Sequence, residues 1–242
     1  MVRPGRRSPR ARGHCRVTEL LRQCLVVLRK DLLAGWRSRA RAVATGVFGV
    51  TTLLLFSFAV GPDTTILQAH AAGYLWLALL LSSTLALAES FRVEVEHGAL
   101  ETLLLLPTLP AAVFYGKAVA NLLTLLVVGA ALVPFMLGLY DAHVALGLPW
   151  LALVLLAGAA GISAPGTLHA ALASRARSRD VLLPLLLFPL LVPCLLAAVK
   201  ATSLVLTGDP MSQLPSWLGL LAAFDVIYWS LCGLLFSRVV EE

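Results

Sequence analysis

The feature that most constrains this chain is a series of six long apolar segments that fill most of its length. They cover roughly residues 42–60, 71–88, 113–138, 149–173, 181–199 and 217–237. A helix needs about 20 apolar residues to cross about 30 Å of hydrocarbon. The chain is 59% hydrophobic and only 13% charged, whereas soluble domains carry about 25% charged residues. The sequence therefore predicts an all-α, polytopic membrane protein with six transmembrane helices.

The basic residues lie almost entirely on one side of these segments. Of the 19 Lys and Arg residues, 12 fall within residues 1–41. Six more lie in or beside the segments that connect the spans on that same side: Arg92, Lys117, Arg175, Arg177, Arg179 and Arg238. The opposite side has only Lys200. Because short cytoplasmic loops carry the excess of Lys and Arg, both chain termini are predicted to be cytoplasmic.

The basic N-terminal region divides into two parts. Residues 1–18 are rich in Arg, Pro and Gly, a composition that predicts a disordered extension. Residues 19–41 place Leu21, Leu25, Leu28 and Leu32 at helical spacing, and their charged residues occupy other faces. This pattern predicts an amphipathic helix that lies in the membrane interface. The alternative is a solvated basic tail.

An acidic segment at residues 89–106 separates the second span from the third. Its charged residues are crowded into 13 positions, at Glu89, Arg92, Glu94, Glu96, His97 and Glu101. The segment ends in an apolar run before Pro107 and Pro110, which break the helix. A solvated turn would be shorter and less patterned, so we favour a cytoplasmic helix that docks on a partner. The solvated turn stays open as the alternative.

Several motifs of catalytic and cofactor-binding proteins are missing from the sequence. It contains no GxxxxGK[ST] phosphate loop, no HExxH motif and no CxxCH motif. Its four cysteines, Cys15, Cys24, Cys194 and Cys232, form no paired motif that would indicate a disulfide framework or a zinc site. We therefore expect no catalytic site, no bound metal and no cofactor held by this chain itself.

One short motif, Gly161-Ile162-Ser163-Ala164, is similar to the serine motif of intramembrane rhomboid proteases. A serine nucleophile needs a base within hydrogen-bond reach. The nearest histidine, His169, is six residues along the helix and therefore about 240° round it from Ser163. The sequence argues against an enzyme, and the small residues of this segment are expected to allow close helix packing.

Three polar residues inside the spans are candidates for a functional role, because polar groups are costly to place in hydrocarbon. Lys117 and Asn121 share one face of the third span near its cytoplasmic start. Lys117 can snorkel to the headgroups, and Asn121 is expected to hydrogen-bond another helix. Asp225 lies within the last span and is expected to pair with a neighbour inside the protein.

Two other features leave alternatives open. His70 and His143 fall in segments predicted to be external loops, where they are candidate haem contacts or ordinary polar loop residues. Pro184, Pro189 and Pro193 interrupt the fifth span, which predicts a kink that is either a moving part or a simple irregularity.

Residues 73–123 closely resemble the CcmB family, the haem exporter protein B of cytochrome c maturation. The residues that carry the resemblance are Phe91-Arg92, Glu94, Gly98, Leu100-Glu101, the Leu run at 103–106, Pro107, Pro110 and Lys117. A looser match follows at residues 164–166, at 171–172, in the Arg-rich 175–179 segment and in the Pro-rich fifth span.

This resemblance implies an ABC-2-like permease subunit of an ABC transporter in the bacterial cytoplasmic (inner) membrane. Residues 42–242 would form the permease domain, and the 89–106 segment would be the coupling helix that contacts a separate ATPase chain. The coupling residues would be Phe91, Arg92, Glu94, Glu96, Gly98, Leu100 and Glu101.

The resemblance also implies the partners. ATP would be bound by the ATPase subunit, which is CcmA in the family, and haem would be a candidate substrate. The complex would include the membrane proteins CcmC and CcmD, and it would act on the haem chaperone CcmE. The alternatives are a permease of another ABC exporter, for a lipid, glycan or drug, or a protein that binds haem alone through His70 and His143.

Overall fold

The structure is a computed structural model that describes residues 9–37, 39–96, 110–174 and 179–241. Within these ranges every regular element is an α-helix. The seven helices are α1 (Pro9–Arg37), α2 (Arg39–Val60), α3 (Thr64–Glu96), α4 (Pro110–Tyr140), α5 (Leu148–Ser174), α6 (Arg179–Thr207) and α7 (Leu214–Glu241). The all-α fold class is therefore confirmed.

Six of the described helices, α2 to α7, are long and apolar enough to cross a membrane. Their apolar stretches are Val43–Val60, Thr64–Ala88, Pro110–Tyr140, Leu148–Ala173, Pro184–Thr207 and Leu214–Arg238. They agree with the six predicted spans, and all but the first extend further toward the short connections. The segment 61–70, predicted as a loop, is largely helical because α3 begins at Thr64. His70 is therefore a helical residue, which corrects its predicted position in a loop.

The three short connections lie at one end of the bundle, which we call the loop face. They are residues 61–63, 141–147 and 208–213. Asp63 begins α3 as an N-cap, because its Oδ1 accepts hydrogen bonds from the backbone N–H groups of Thr65 at 3.0 Å and Ile66 at 3.3 Å. The hydrogen bond from Ile66, followed by that from Thr65, lowers the pKa of the exposed Asp63 carboxyl.

Asp141 and Asp209 shape the other two connections. Asp141 ends α4 in the left-handed conformation, with φ of 50°, and the next N–H, of Ala142, reaches back to the Leu137 carbonyl at 3.2 Å. This is the arrangement that satisfies the last carbonyls of a helix. Asp209 accepts the backbone N–H groups of Gln213 and Leu214, both at 2.8 Å, where α7 begins.

The centre of the bundle consists of α3 and α5. In α5, 72% of the membrane-crossing window is buried inside the protein and in α3 56%, whereas in α2 and α7 the share is 22%. Small residues of α5 let the neighbouring helices approach closely. The indole of Trp76 on α3 lies directly over Gly158, and its Nε1 donates a 2.8 Å hydrogen bond to Thr202 Oγ1 on α6. These contacts join three spans in the middle of the core.

Helix α1 lies against α4 at the opposite end of the bundle, which we call the basic face, with a smaller contact to α2. Leu21, Leu25 and Val26 on its outer side are more than half exposed. It begins at Pro9, whereas the sequence predicted disorder through residue 18, and residues 1–8 are outside the described ranges. An exposed face that mixes apolar and Arg side chains fits the predicted position in a membrane interface.

Candidate functional site at the basic face

Helix α3 continues well beyond its membrane-crossing stretch. It has 33 residues, or about 50 Å at 1.5 Å per residue, against about 30 Å of hydrocarbon. Its apolar stretch ends at Ala88, and the helix runs on to Glu96. We call residues 89–96 the α3 extension. It carries the first half of the acidic segment as a continuation of the same helix.

The predicted coupling residues fall partly within this extension. Phe91, Arg92, Glu94 and Glu96 lie in the helical backbone of α3. Gly98, Leu100 and Glu101 lie outside the described residues, which resume at Pro110. Their predicted role in ATPase coupling stays a prediction.

Lys117 lies at the base of the extension and is the most deeply buried cation in the described part of the chain. Only 1% of the residue is exposed. Its Nζ donates a hydrogen bond to Asp31 Oδ2 on α1 at 3.1 Å and another to the Ser90 carbonyl on the α3 extension at 2.9 Å. The expectation that Lys117 snorkels to the headgroups is therefore wrong. The Asp31 carboxylate and the Ser90 carbonyl replace the water that a snorkelling ammonium would seek.

Asp31 itself contacts two cations. Besides the Lys117 ammonium, its Oδ1 lies 3.4 Å from the Nζ of Lys30, a side chain that is 48% exposed. The Asp31 side chain is 16% exposed. One carboxylate therefore joins a solvated cation on the outer side of α1 to a buried cation on α4.

Asn121 lies one helical turn further into α4. Its Nδ2 donates a 2.9 Å hydrogen bond to Thr167 Oγ1 on α5, and Thr167 donates to the Ser163 carbonyl at 2.6 Å. Both side chains are buried. The predicted interhelical hydrogen bond of Asn121 is confirmed, and its role is to join α4 and α5 without leaving a polar group unpaired in the membrane.

Asp225 lies near the middle of α7 and faces the small residues of α5. Its Oδ1 is buried, and a Cβ placed on Gly161 would lie 3.1 Å from it. Among the described residues this oxygen has no hydrogen-bond partner. The pairing that the sequence predicted for Asp225 is therefore not seen at this atom.

The two histidines proposed as haem contacts lie at the loop face, away from Lys117. His70 Nδ1 bonds to the Ile66 carbonyl at 3.0 Å, and its ring stacks on Tyr74 with centroids 6.0 Å apart. When Nδ1–H donates to a carbonyl, Nε2 is left as the acceptor. His143 is exposed in the 141–147 connection. In the part of the chain that is described, no three His, Cys, Asp or Glu side chains are grouped to hold a metal ion.

The serine and histidine of the protease-like motif do not meet. Ser163 Oγ donates to the Ala160 carbonyl at 3.2 Å, and His169 Nδ1 bonds to the Pro165 carbonyl at 2.7 Å. Each side chain thus bonds to its own helix, and the geometry agrees with the argument made from helical spacing. The small residues around Ser163 are buried where other helices pack.

Sequence reasoning missed the role of Asp31. With Arg22, Arg29 and Lys30, it was placed on faces of α1 other than the Leu face, and nothing local marks it as the partner of Lys117, which is 86 residues away. The available signal was that α1 carries only two acidic residues, Asp31 and Glu19, among many basic ones. Burial of Cys24 on the same inner side of α1, which raises its thiol pKa, also follows from the contact with α4.

Together, six apolar spans, a helix laid across their basic end and a buried interhelical ion pair define a multi-pass α-helical membrane protein. The comparisons with known proteins then give its family. The CcmB protein family matches residues 22–241, and the chain belongs to this family.

Proteins similar to this chain include several called heme exporter protein B. The protein of Pseudomonas aeruginosa is 36% identical over 180 residues, which cover 73% of this chain and 79% of that protein. The protein of Bradyrhizobium diazoefficiens is 33% identical over 189 residues, covering 77% and 83%. That of Rhodobacter capsulatus is 38% identical over 153 residues, covering 62% and 68%.

Proposed function

We propose that this chain is the permease subunit of an ABC transporter that works in cytochrome c maturation. A separate ATPase chain docks on the 89–106 segment, and its ATP-driven motion passes into the spans. The result is haem delivery or release of the haem-loaded chaperone. The basic face is cytoplasmic, in the bacterial inner membrane, and membrane subunits that handle haem complete the complex.

The observation that carries this proposal is the α3 extension. It projects beyond the membrane-crossing stretch as a continuous helix and bears Glu89, Arg92, Glu94 and Glu96 in a chain that is otherwise poor in acids. A helix of this kind passes a displacement to its span directly, because α3 is continuous from its membrane-crossing stretch to Glu96. Charge pairs at such a surface fix its register more than its affinity.

The substrate class rests on the family and on the name of its relatives. Proteins called heme exporter protein B match this chain over most of its length. The alternative function, export of a lipid, glycan or drug, uses the same architecture and the same ATPase contact. The two functions therefore differ in the substrate and in the partners that handle it.

The ATPase contact is tested by charge reversal. The tagged chain is co-expressed with the candidate CcmA-type ATPase, and ATPase retention is measured after purification in mild detergent. Glu94→Lys/Glu101→Lys is expected to reduce retention by about tenfold or more, because opposed like charges cost several kcal/mol at an interface. Glu241→Lys/Glu242→Lys makes the same change in net charge at the C-terminus and is expected to retain the ATPase. Equal retention by both variants would contradict docking through this segment.

A further inference from the structure

Three elements meet at one ammonium group. Lys117 Nζ on α4 is 3.1 Å from Asp31 Oδ2 on α1 and 2.9 Å from the Ser90 carbonyl on the α3 extension. Ser90 is the second residue beyond the end of the apolar stretch of α3. We call Asp31, Lys117 and the Ser90 carbonyl the cytoplasmic clamp.

The charged groups of the clamp are largely shielded from solvent. Lys117 is 1% exposed, and the side chain of Asp31 is 16% exposed. Pulling α1 or the α3 extension away from α4 would leave a charge buried without its partner. That is far more costly than separating an exposed ion pair, for which water substitutes easily.

Beside the clamp, the backbone of α4 at Gly116 packs directly against α1. Gly116 precedes Lys117, and a Cβ placed on it would lie 2.8 Å from Val27 Cβ and 2.9 Å from the Cys24 carbonyl oxygen. The contacting atoms of α1 belong to the backbone or to the β-branched side chain of Val27, which has little freedom to move aside. The two helices can therefore slide or tilt against each other very little without breaking the clamp.

We infer that Asp31 and Lys117 are positioning residues that make α1, α4 and the α3 extension move as one body when the ATPase acts. A displacement applied to the acidic extension passes at Ser90 to Lys117 and from there to α1. Helix α1 carries Leu21, Leu25 and Val26 exposed on its outer side, so that the same motion shifts α1 in the membrane interface. This inference rests on the proposed function, because it assumes an ATPase at the extension.

The test uses the permease–ATPase complex in lipid nanodiscs. An environment-sensitive fluorescent amino acid replaces Leu25, whose side chain is 62% exposed on α1. ATPase retention and the ATP-dependent change in fluorescence are measured for the same sample. The main variant, Asp31→Leu/Lys117→Met, removes both charges and leaves apolar side chains. Such replacements of a buried ion pair are often neutral for stability.

The double variant is expected to keep its unfolding midpoint and to retain the ATPase. Its ATP-dependent change in fluorescence is expected to be about tenfold smaller than that of wild type, which corresponds to a coupling free energy of ordinary allosteric size. Glu19→Gln, which neutralises an exposed carboxylate on the same helix, is expected to respond like wild type. A purely structural clamp would lower the midpoint and leave the response of the folded fraction intact. A full response in the double variant overturns the inference.

The remaining outcomes are also decisive. If the double variant does not accumulate, Asp31→Asn, which keeps the side-chain shape, is expected to reduce the response, and a full response there overturns the clamp. If wild type retains the ATPase but ATP leaves the fluorescence unchanged, the clamp is overturned and the proposed function stands. If wild type retains no ATPase, the proposed function fails and the inference fails with it.

Discussion

At the scale of single residues, the bundle is organised by a few polar side chains that find partners on other helices. Trp76 donates to Thr202, Asn121 to Thr167, and Tyr140 to the Leu53 carbonyl at 2.8 Å. Each bond joins two spans and removes a polar group from lipid, where an unpaired one would cost several kcal/mol. Such bonds fix which helix faces which, a choice that apolar packing alone leaves open.

Gly158 is the residue whose replacement should be felt most strongly. A Cβ there would overlap Cη2 of Trp76, and the buried indole is held in place by Thr202. Gly158→Ala is therefore expected to destabilise the fold by about 1–3 kcal/mol, the usual cost of overpacking. The thermal unfolding midpoint in detergent measures the effect. Gly73→Ala is the control, because a Cβ added at Gly73 would have no neighbouring atom within 4 Å. Equal midpoints for the two variants would contradict the packing described.

At the scale of elements, hydropathy predicted the six spans but not their ends or partners. Helix α3 begins seven residues before the predicted span because Asp63 caps it and its polar first turns face the loop side. Apolar content shows only which residues lie in lipid, and caps decide where a helix starts. Charge density alone led to the prediction that the 89–106 segment docks on a partner. The link of this segment to Asp31 on α1 depends on a contact between distant residues, which no local pattern reports.

The contact between α1 and α4 is an element-scale prediction. Gly116→Ala places a methyl group against Val27 and the Cys24 carbonyl, so α1 is expected to be pushed away from α4. Limited proteolysis should then cut α1 about tenfold faster, since removing close contacts of this kind costs on the order of 1–2 kcal/mol. Gly138→Ala on α4 should leave the cleavage rate unchanged, because a Cβ added at Gly138 would have no neighbouring atom within 4 Å. Similar rates for both variants would refute a tight α1–α4 contact.

At the scale of the whole molecule, the two faces have different chemistry. The basic face carries the α3 extension and the clamp, and the loop face carries His70 stacked on Tyr74, whose ring also packs against Phe56 and Tyr140. Under the proposed function, the ATPase acts on the first face and any contact with haem occurs at the second. The spans between the two faces would carry the motion from one to the other.

Haem contact at the loop face is tested by absorbance. If His70 and His143 contact haem, the purified chain titrated with haemin should give a Soret band that His70→Ala/His143→Ala loses. The expected basis is the His70 Nε2, which stays available while Nδ1 bonds to Ile66. His169→Ala, whose imidazole lies near the opposite end of the bundle, serves as the control. An unchanged Soret band in the double variant would show that neither His70 nor His143 contacts haem.

The central claim is that a separate ATPase docks on the α3 extension, and site-specific photo-crosslinking in membranes tests it most directly. A photoreactive amino acid at Glu94, on the extension, is expected to give an adduct with the mass of the permease plus the ATPase. The same amino acid at His143, exposed in the 141–147 connection, is expected to give none. An ATPase adduct that is missing from position 94, or equally strong from position 143, would contradict the account.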